Sequence, residues 1–140
     1  MSGDFIDSNV FIYLVDPTDP TKQQTARELI RRAVELGTGS ISFQVVQETL
    51  NVMTRKLKTP LTSEDARSFL EEVLTPFWRV MPTPALYEHT LEIQARYQFS
   101  FYDSLVIAAA LAAGCTRLYS EDLQHGQRIQ GLRIENPFRA

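Results

Sequence analysis

The sequence predicts an α/β fold, a three-layer sandwich in which a mostly parallel sheet of five strands lies between helices. Three observations predict it. Short apolar runs alternate with helical patterns along the chain. The intervals between those runs are long enough for the helical crossovers that parallel neighbours require. One stretch, residues 99–114, is almost wholly apolar over the length of a helix, the pattern of a helix buried among other elements. The 140 residues are read as one domain, 1–140, large enough to bury a core without disulfides or structural metal.

Residues 5–6 form a short apolar strand that reaches Asp7, and 9–15 follow as a short helix. Asp16-Pro-Thr-Asp-Pro20 is a turn, after which a polar-rich helix over 21–36 closes on Gly37, a residue suited to the left-handed cap. A second strand spans 39–42. Over 43–57, Phe43, Val46, Leu50, Met53 and Leu57 recur at helical spacing, and Lys56 and Lys58 close the last turn in favour of the helix dipole. Pro60 ends that helix, and Thr62-Ser-Glu-Asp65 starts another that runs to about Leu74, before Pro76. Residues 77–81 read as a third strand, stopped by prolines, and 86–97 as a helix of mixed polarity. The apolar helix follows, with Ser100 and Asp103 at the S-x-x-D spacing of a capping box. Residues 117–120 form a fourth strand that delivers Glu121-Asp122, and 131–135 a weak fifth.

Composition narrows the function classes. At 44% hydrophobic and 22% charged residues the chain has the balance of a soluble globular domain, and no apolar run is long enough to cross a bilayer. The start lacks a basic stretch followed by an apolar one, so no secretory leader is expected and the cytoplasm is the expected compartment. The single cysteine, Cys115, agrees with that and reads as a small buried thiol. A net charge of -3 argues against a protein that coats nucleic acid by charge alone. It leaves room for a nucleic-acid enzyme whose acids are gathered in one place around cations.

Ligands of open α/β sheets collect beyond the carboxyl ends of the strands. Asp7 ends the first strand and Asp122 follows the fourth, so both are expected at that edge, with Asp103 at the mouth of the apolar helix. Each has a plain structural reading: Asp7 as a helix N-cap, Asp103 as half of a capping box, Asp122 as a turn residue. Their joint placement points instead to a shared cation site. Periodicity treats Glu48 differently, setting it on the solvent face opposite Leu50, Met53 and Leu57, beside Gln44, Asn51 and Arg55.

Four motifs, Phe5-Ile-Asp7-Ser-Asn9, Val46-Gln-Glu48, Phe101-Tyr-Asp103-Ser-Leu-Val-Ile-Ala-Ala-Ala and Leu118-Tyr-Ser-Glu-Asp122-Leu-Gln, together resemble the acid motifs of PIN domains, and their spacing resembles that of bacterial VapC-like toxins. The resemblance covers essentially the full length. It implies a five-stranded parallel sheet between helices, Mg²⁺- or Mn²⁺-dependent cleavage of single-stranded RNA, and inhibition by a cognate antitoxin; it leaves a homodimer open. Carried over by position, Asp7, Glu48, Asp103 and Asp122 form the metal and catalytic set. Asn9 steadies the first acid, and Glu121 is held in reserve as a ligand beside Asp122; apart from the resemblance, Ser120 reads as a supporting hydrogen-bond partner of the acids or of water.

That chemistry is coherent with the residue types. Hard divalent cations take oxygen ligands, and an acid set without His or Cys suits Mg²⁺ or Mn²⁺. His89 and His125 read as surface histidines, and Ser104 as a hydrogen-bonding neighbour of Asp103. Arg55, two turns beyond Glu48 on one helix face, is a candidate contact to the RNA backbone. The apolar residues Ala66, Phe69, Leu70 and Val73 are either core or the face on which a protein partner docks. A haloacid-dehalogenase-type phosphotransferase would need Asp where this chain has Asn9, and a receiver domain a late lysine, whereas none follows Lys58. No Gly-rich phosphate loop is present. The remaining alternative is a catalytically silent PIN-like module that binds RNA or protein.

Overall fold

The computed structural model describes residues 3–139; Met1 and Ser2, part of the start read above for a leader, and Ala140 lie outside the described residues. The strands are β1 (Gly3–Ile6), β2 (Gly39–Ser42), β3 (Trp78–Val80), β4 (Cys115–Tyr119), β5 (Arg128–Ile129) and β6 (Leu132–Glu135), in the sheet order β3-β2-β1-β4-β6-β5. All neighbours are parallel except the β5–β6 pair. The sheet thus has six strands rather than the expected five. The extra strand is a two-residue edge piece, too short to carry a period in sequence. It is closed onto β6 by Gln130 and Gly131, whose φ of 50° and 89° put both in the left-handed region that two-residue hairpin turns favour.

The helices α1 (Ser8–Val15), α2 (Pro20–Leu36), α3 (Phe43–Arg55), α4 (Ser63–Phe69), α5 (Pro84–Tyr97) and α6 (Phe101–Ala112) flank the sheet. Their starts follow local chemistry. Asp7, Asp19, Ser42, Thr62, Thr83 and Ser100 each accept a backbone N–H in the first turn of the helix they precede, satisfying donors that have no intrahelical partner. Gly37, at φ 65°, closes α2 as expected. The helix expected to run unbroken to Leu74 does not: α4 ends at Phe69, widens into a π turn over Leu70–Leu74 and tightens into a 3₁₀ turn over Thr75–Phe77. Pro76 denies the next turn its N–H, and the changed winding turns Phe77 inward. Phe77 therefore leaves the expected third strand and lies against Gly39, where a Cβ would stand 2.5 Å from its ring. Only glycine admits that approach.

The core is continuous across the sheet. Phe5 and Ile6 of β1, Ile41 of β2, Leu118 of β4 and Leu132 and Ile134 of β6 are buried with Val10, Phe11, Val45, Met53 and Ile93 from the helices. Leu105 to Ala110 of α6 are all buried, as a helix apolar on every side requires, and α6 packs on α5, β4 and β2. Cys115 opens β4, buried, its thiol pushed up to about 11 chiefly by that burial. It is no nucleophile. Among the described residues no helix is long and apolar enough to cross a membrane. Because β1, β2, β3, β4 and β6 run the same way, their carboxyl ends share one edge, from which α1, α3 and the turn after β4 depart.

Candidate active site at the carboxyl edge of the sheet

Asp7 stands at the centre of that edge. In the β1–β4 register Ile6 faces Tyr119, so the next residue of each strand, Asp7 and Ser120, are brought side by side. The Asp7 N–H donates to the Tyr119 carbonyl at 3.0 Å, and the Ser120 hydroxyl donates to Asp7 Oδ2 at 2.7 Å. Oδ1 accepts the Ser8 N–H at 2.8 Å, so the N-cap expected of Asp7 is present. The residue is only 5% exposed. Burial raises its pKa to about 6, the nearby carboxylates of Asp122 and Asp103 add to the rise, and the Ser120 and Ser8 bonds oppose it. An Asp that served only as a cap would gain from those bonds without being pressed by like charges from two other elements.

Glu48 corrects the periodicity argument. It is half-buried rather than solvated, because α3 packs beside α1 and the helix face opposite the core stripe meets that neighbour instead of water. Its Oε1 accepts the Ser8 hydroxyl at 3.4 Å. Its pKa is raised by burial first, then by Asp7 and Asp122, against hydrogen bonds from Ser8 and Gln44. Glu48 therefore feels the charge of Asp7 and Asp122, as Asp7 feels that of Asp122 and Asp103.

Asp103, in the first turn of α6, is partly exposed. Only one half of the expected capping box forms: Ser100 Oγ accepts the Asp103 N–H at 3.1 Å, and the carboxylate is left without a protein donor among the described residues. The Ser104 hydroxyl turns back to the Ser100 carbonyl at 2.8 Å.

The turn after β4 sorts its two acids. Asp122 receives Asn9 Nδ2 at 3.3 Å on Oδ2, and its N–H donates to Ser120 Oγ at 3.2 Å. Glu121 is engaged elsewhere, accepting Tyr13 Oη at 2.7 Å and Lys22 Nζ at 2.5 Å. Asn9, expected to steady Asp7, instead joins this turn, with Oδ1 accepting the Glu121 N–H at 3.4 Å. It is the second residue of α1, and its side chain reaches across to the turn after β4 instead of back to Asp7. His125 is not a free surface histidine: its Nδ1 accepts the Asn136 N–H at 3.0 Å. His89 lies away from the acids, with Nε2 3.4 Å from the Gln130 side chain. Arg55 ends α3, exposed.

Gln44, which periodicity set on the solvent face beside Glu48, is the residue whose part sequence reasoning missed. It is 3% exposed, its Nε2 donates to the Tyr102 carbonyl at 3.2 Å, and its Oε1 is buried without a partner. One turn before Glu48, whose pKa its amide helps hold down, it ties α3 to the mouth of α6. Its i, i+4 spacing from Glu48 was the available signal.

The PIN domain family model matches residues 5–128. Among solved structures, the sarcin–ricin-loop-cleaving toxin VapC20 of Mycobacterium tuberculosis is similar at 22% identity and TM-score 0.65, over 86% of this chain and 90% of that one. DNA-bound VapBC from Salmonella typhimurium is similar at 20% identity and TM-score 0.68, over 98% and 99%. FitAcB from Neisseria gonorrhoeae is similar at 16% identity and TM-score 0.63, over 98% and 99%. No curated protein sequence is a significant match. With the family model spanning the chain from the first strand to the edge strand β5, and the fold shared with these structures, the chain belongs to the PIN domain family.

Proposed function

We propose that this chain is a Mg²⁺- or Mn²⁺-dependent endoribonuclease that cuts single-stranded RNA in the cytoplasm, and that it is the toxin of a type II toxin–antitoxin pair restrained by a cognate antitoxin. The observation that carries the reading is the state of Asp7: buried at the sheet edge, it is raised to about 6 by that burial first, and the carboxylates of Asp122 and Asp103, from two other elements, add to the rise. Membership of the PIN family and the likeness to VapBC, FitAcB and VapC20 support the choice of reaction and the expectation of a protein partner.

The donor set fits a hard divalent cation. Asp7, Glu48, Asp103 and Asp122 offer only carboxylate oxygen, the ligand type that Mg²⁺ and Mn²⁺ prefer, and a dication would offset the like-charge repulsion that adds to the effect of burial on Asp7 and Glu48. Among the described residues no three acidic, His or Cys side chains are gathered as a cage; water and substrate phosphate would complete the shell, as is usual for Mg²⁺. When bound, such an ion supplies charge to the scissile phosphate and acidifies water.

The remaining work falls to the chain. Ser120 and the Ser8 N–H hold the Asp7 carboxylate in one orientation and favour its ionised form. Asn9 and the Ser120 hydroxyl fix the turn that presents Asp122. Glu48, half-buried with a raised pKa, accepts the proton of the attacking water. Glu121 stays with Lys22 and Tyr13, outside the ligand set. Arg55 steadies the RNA backbone.

Purified protein is expected to cut a broad panel of single-stranded RNAs with Mg²⁺ or Mn²⁺ and to stop in EDTA, and Asp7→Asn is expected to abolish cutting while remaining folded. Undiminished cleavage in EDTA by protein free of other nucleases would overturn the metal mechanism. Binding of RNA without cleavage under any divalent metal would favour the silent module.

A further inference from the structure

We propose that Tyr102 is a base-stacking platform at the mouth of the active site, so that this chain grips a nucleobase of its substrate as well as its phosphates. The inference rests on the nuclease reading above and adds a subsite to it. Tyr102 lies next to Asp103 in the first turn of α6 and is 66% exposed.

Its backbone is held from inside by Gln44, buried beside Glu48, whose amide donates to the Tyr102 carbonyl. Its ring rests edge-on against Phe101, with centroids 5.3 Å apart and planes at 85°. Phe101 is in turn stacked on Tyr87 at 6.5 Å and 9°, and Tyr87 meets Phe43, at the start of α3, edge-on at 6.4 Å. A row of four aromatic rings therefore runs from the buried start of α3 to the exposed ring of the residue that precedes Asp103. The row braces Tyr102 from behind and leaves it open to solvent in front.

Chemistry names the ligand. A chain of net charge -3 with acids at its site gains little from phosphate attraction alone. Proteins that hold single strands add aromatic faces on which unpaired bases stack, a contact that tolerates any base. Stacking on Tyr102 would set the scissile phosphate next to Asp103 by holding the adjoining nucleoside, and would disfavour duplex RNA, whose bases are already stacked.

The test is binding, by fluorescence anisotropy in Mg²⁺, of a short labelled oligoadenylate with cleavage-resistant phosphorothioate linkages and of its abasic counterpart. Tyr102→Ala is expected to weaken binding of the oligoadenylate by roughly 5- to 140-fold, the range for losing one stacked base, and to leave the weaker binding of the abasic strand unchanged. Tyr102→Phe is expected to bind both as wild type does. Equal binding of oligoadenylate by wild type and Tyr102→Ala would overturn the platform and leave the nuclease reading standing, as would an equal loss for both strands. A wild type that binds neither strand, while cutting no RNA, would overturn both.

Discussion

Ser120 and Asp7, 113 positions apart in sequence, are joined by a 2.7 Å hydrogen bond across the two central strands. The bond exists because β1 and β4 pair in parallel with Ile6 opposite Tyr119, which sends both chains out of the sheet at one level. It is the main contact favouring the ionised form of a carboxyl that burial otherwise raises to about 6. The same serine accepts the Asp122 N–H, so one hydroxyl orders two of the four acids.

The sign of the pH dependence follows from Asp7. Its folded pKa of about 6 lies above the ordinary 3.8, so the contribution to stability is fully present below about pH 4 and is lost as pH rises through about 6. At 1.36 kcal/mol per unit the metal-free protein is expected to lose about 3 kcal/mol from this group over that window. Ser120→Ala removes the opposing bond, so the loss should grow and extend above pH 6; Asp7→Asn should flatten it. Urea unfolding of the three proteins in EDTA between pH 4 and 8 measures this, and a wild type as flat as Asp7→Asn would refute the assignment.

Asp103→Asn is expected to leave the metal-free protein as stable as wild type or more so, because it removes one like charge while the Ser100 cap on the Asp103 N–H is unaffected. Saturation with Mg²⁺ or Mn²⁺ should stabilise wild type by about 2.7 kcal/mol at a hundredfold excess over the dissociation constant, and the variant much less. Thermal melts with and without metal decide it. A clearly weakened metal-free variant would make Asp103 a cap alone.

Gln44→Met keeps the volume of the side chain but removes the donor to the Tyr102 carbonyl and the bond that opposes the rise in Glu48. We expect a loss of about 1–3 kcal/mol from the unpaired groups and an acid limb of the pH–rate profile displaced upward. A variant with wild-type stability and an unmoved profile would show that Gln44 neither joins α3 to α6 nor tunes Glu48.

Arg55→Ala should leave stability within about 0.5 kcal/mol, since the residue is exposed at the end of α3. It should weaken RNA binding across sequences and reduce the slope of log affinity against log salt by about 0.7, the share of one phosphate contact on a single strand. An unchanged slope would remove Arg55 from the RNA path.

Local chemistry in the sequence was enough to determine the helix starts, the buried α6 and the parallel character of the sheet. Asp19, Ser42, Thr83 and Ser100 cap through neighbours three residues away, and an apolar helix with helix-length crossovers on either side leaves few other arrangements. The edge position of Asp7 and Asp122 was legible because each follows the end of a strand, and Asp103 was legible as a first-turn residue of the apolar helix. Family resemblance, not periodicity, placed Glu48 with them.

Tertiary structure alone decided the rest. The burial of Glu48 depends on α1 lying beside α3, a contact between elements that helical spacing cannot encode. The partners of Asn9, the engagement of Glu121 by Lys22 and Tyr13, and the bridge from Gln44 to Tyr102 all cross between segments distant in sequence. The turn after α4 yields to the packing of Phe77 on Gly39, and the sixth strand to a hairpin pairing of two residues. Periodicity reports which face of an element is apolar; which neighbour covers that face, and which side chains then share a charge or a proton, is settled only when the elements pack.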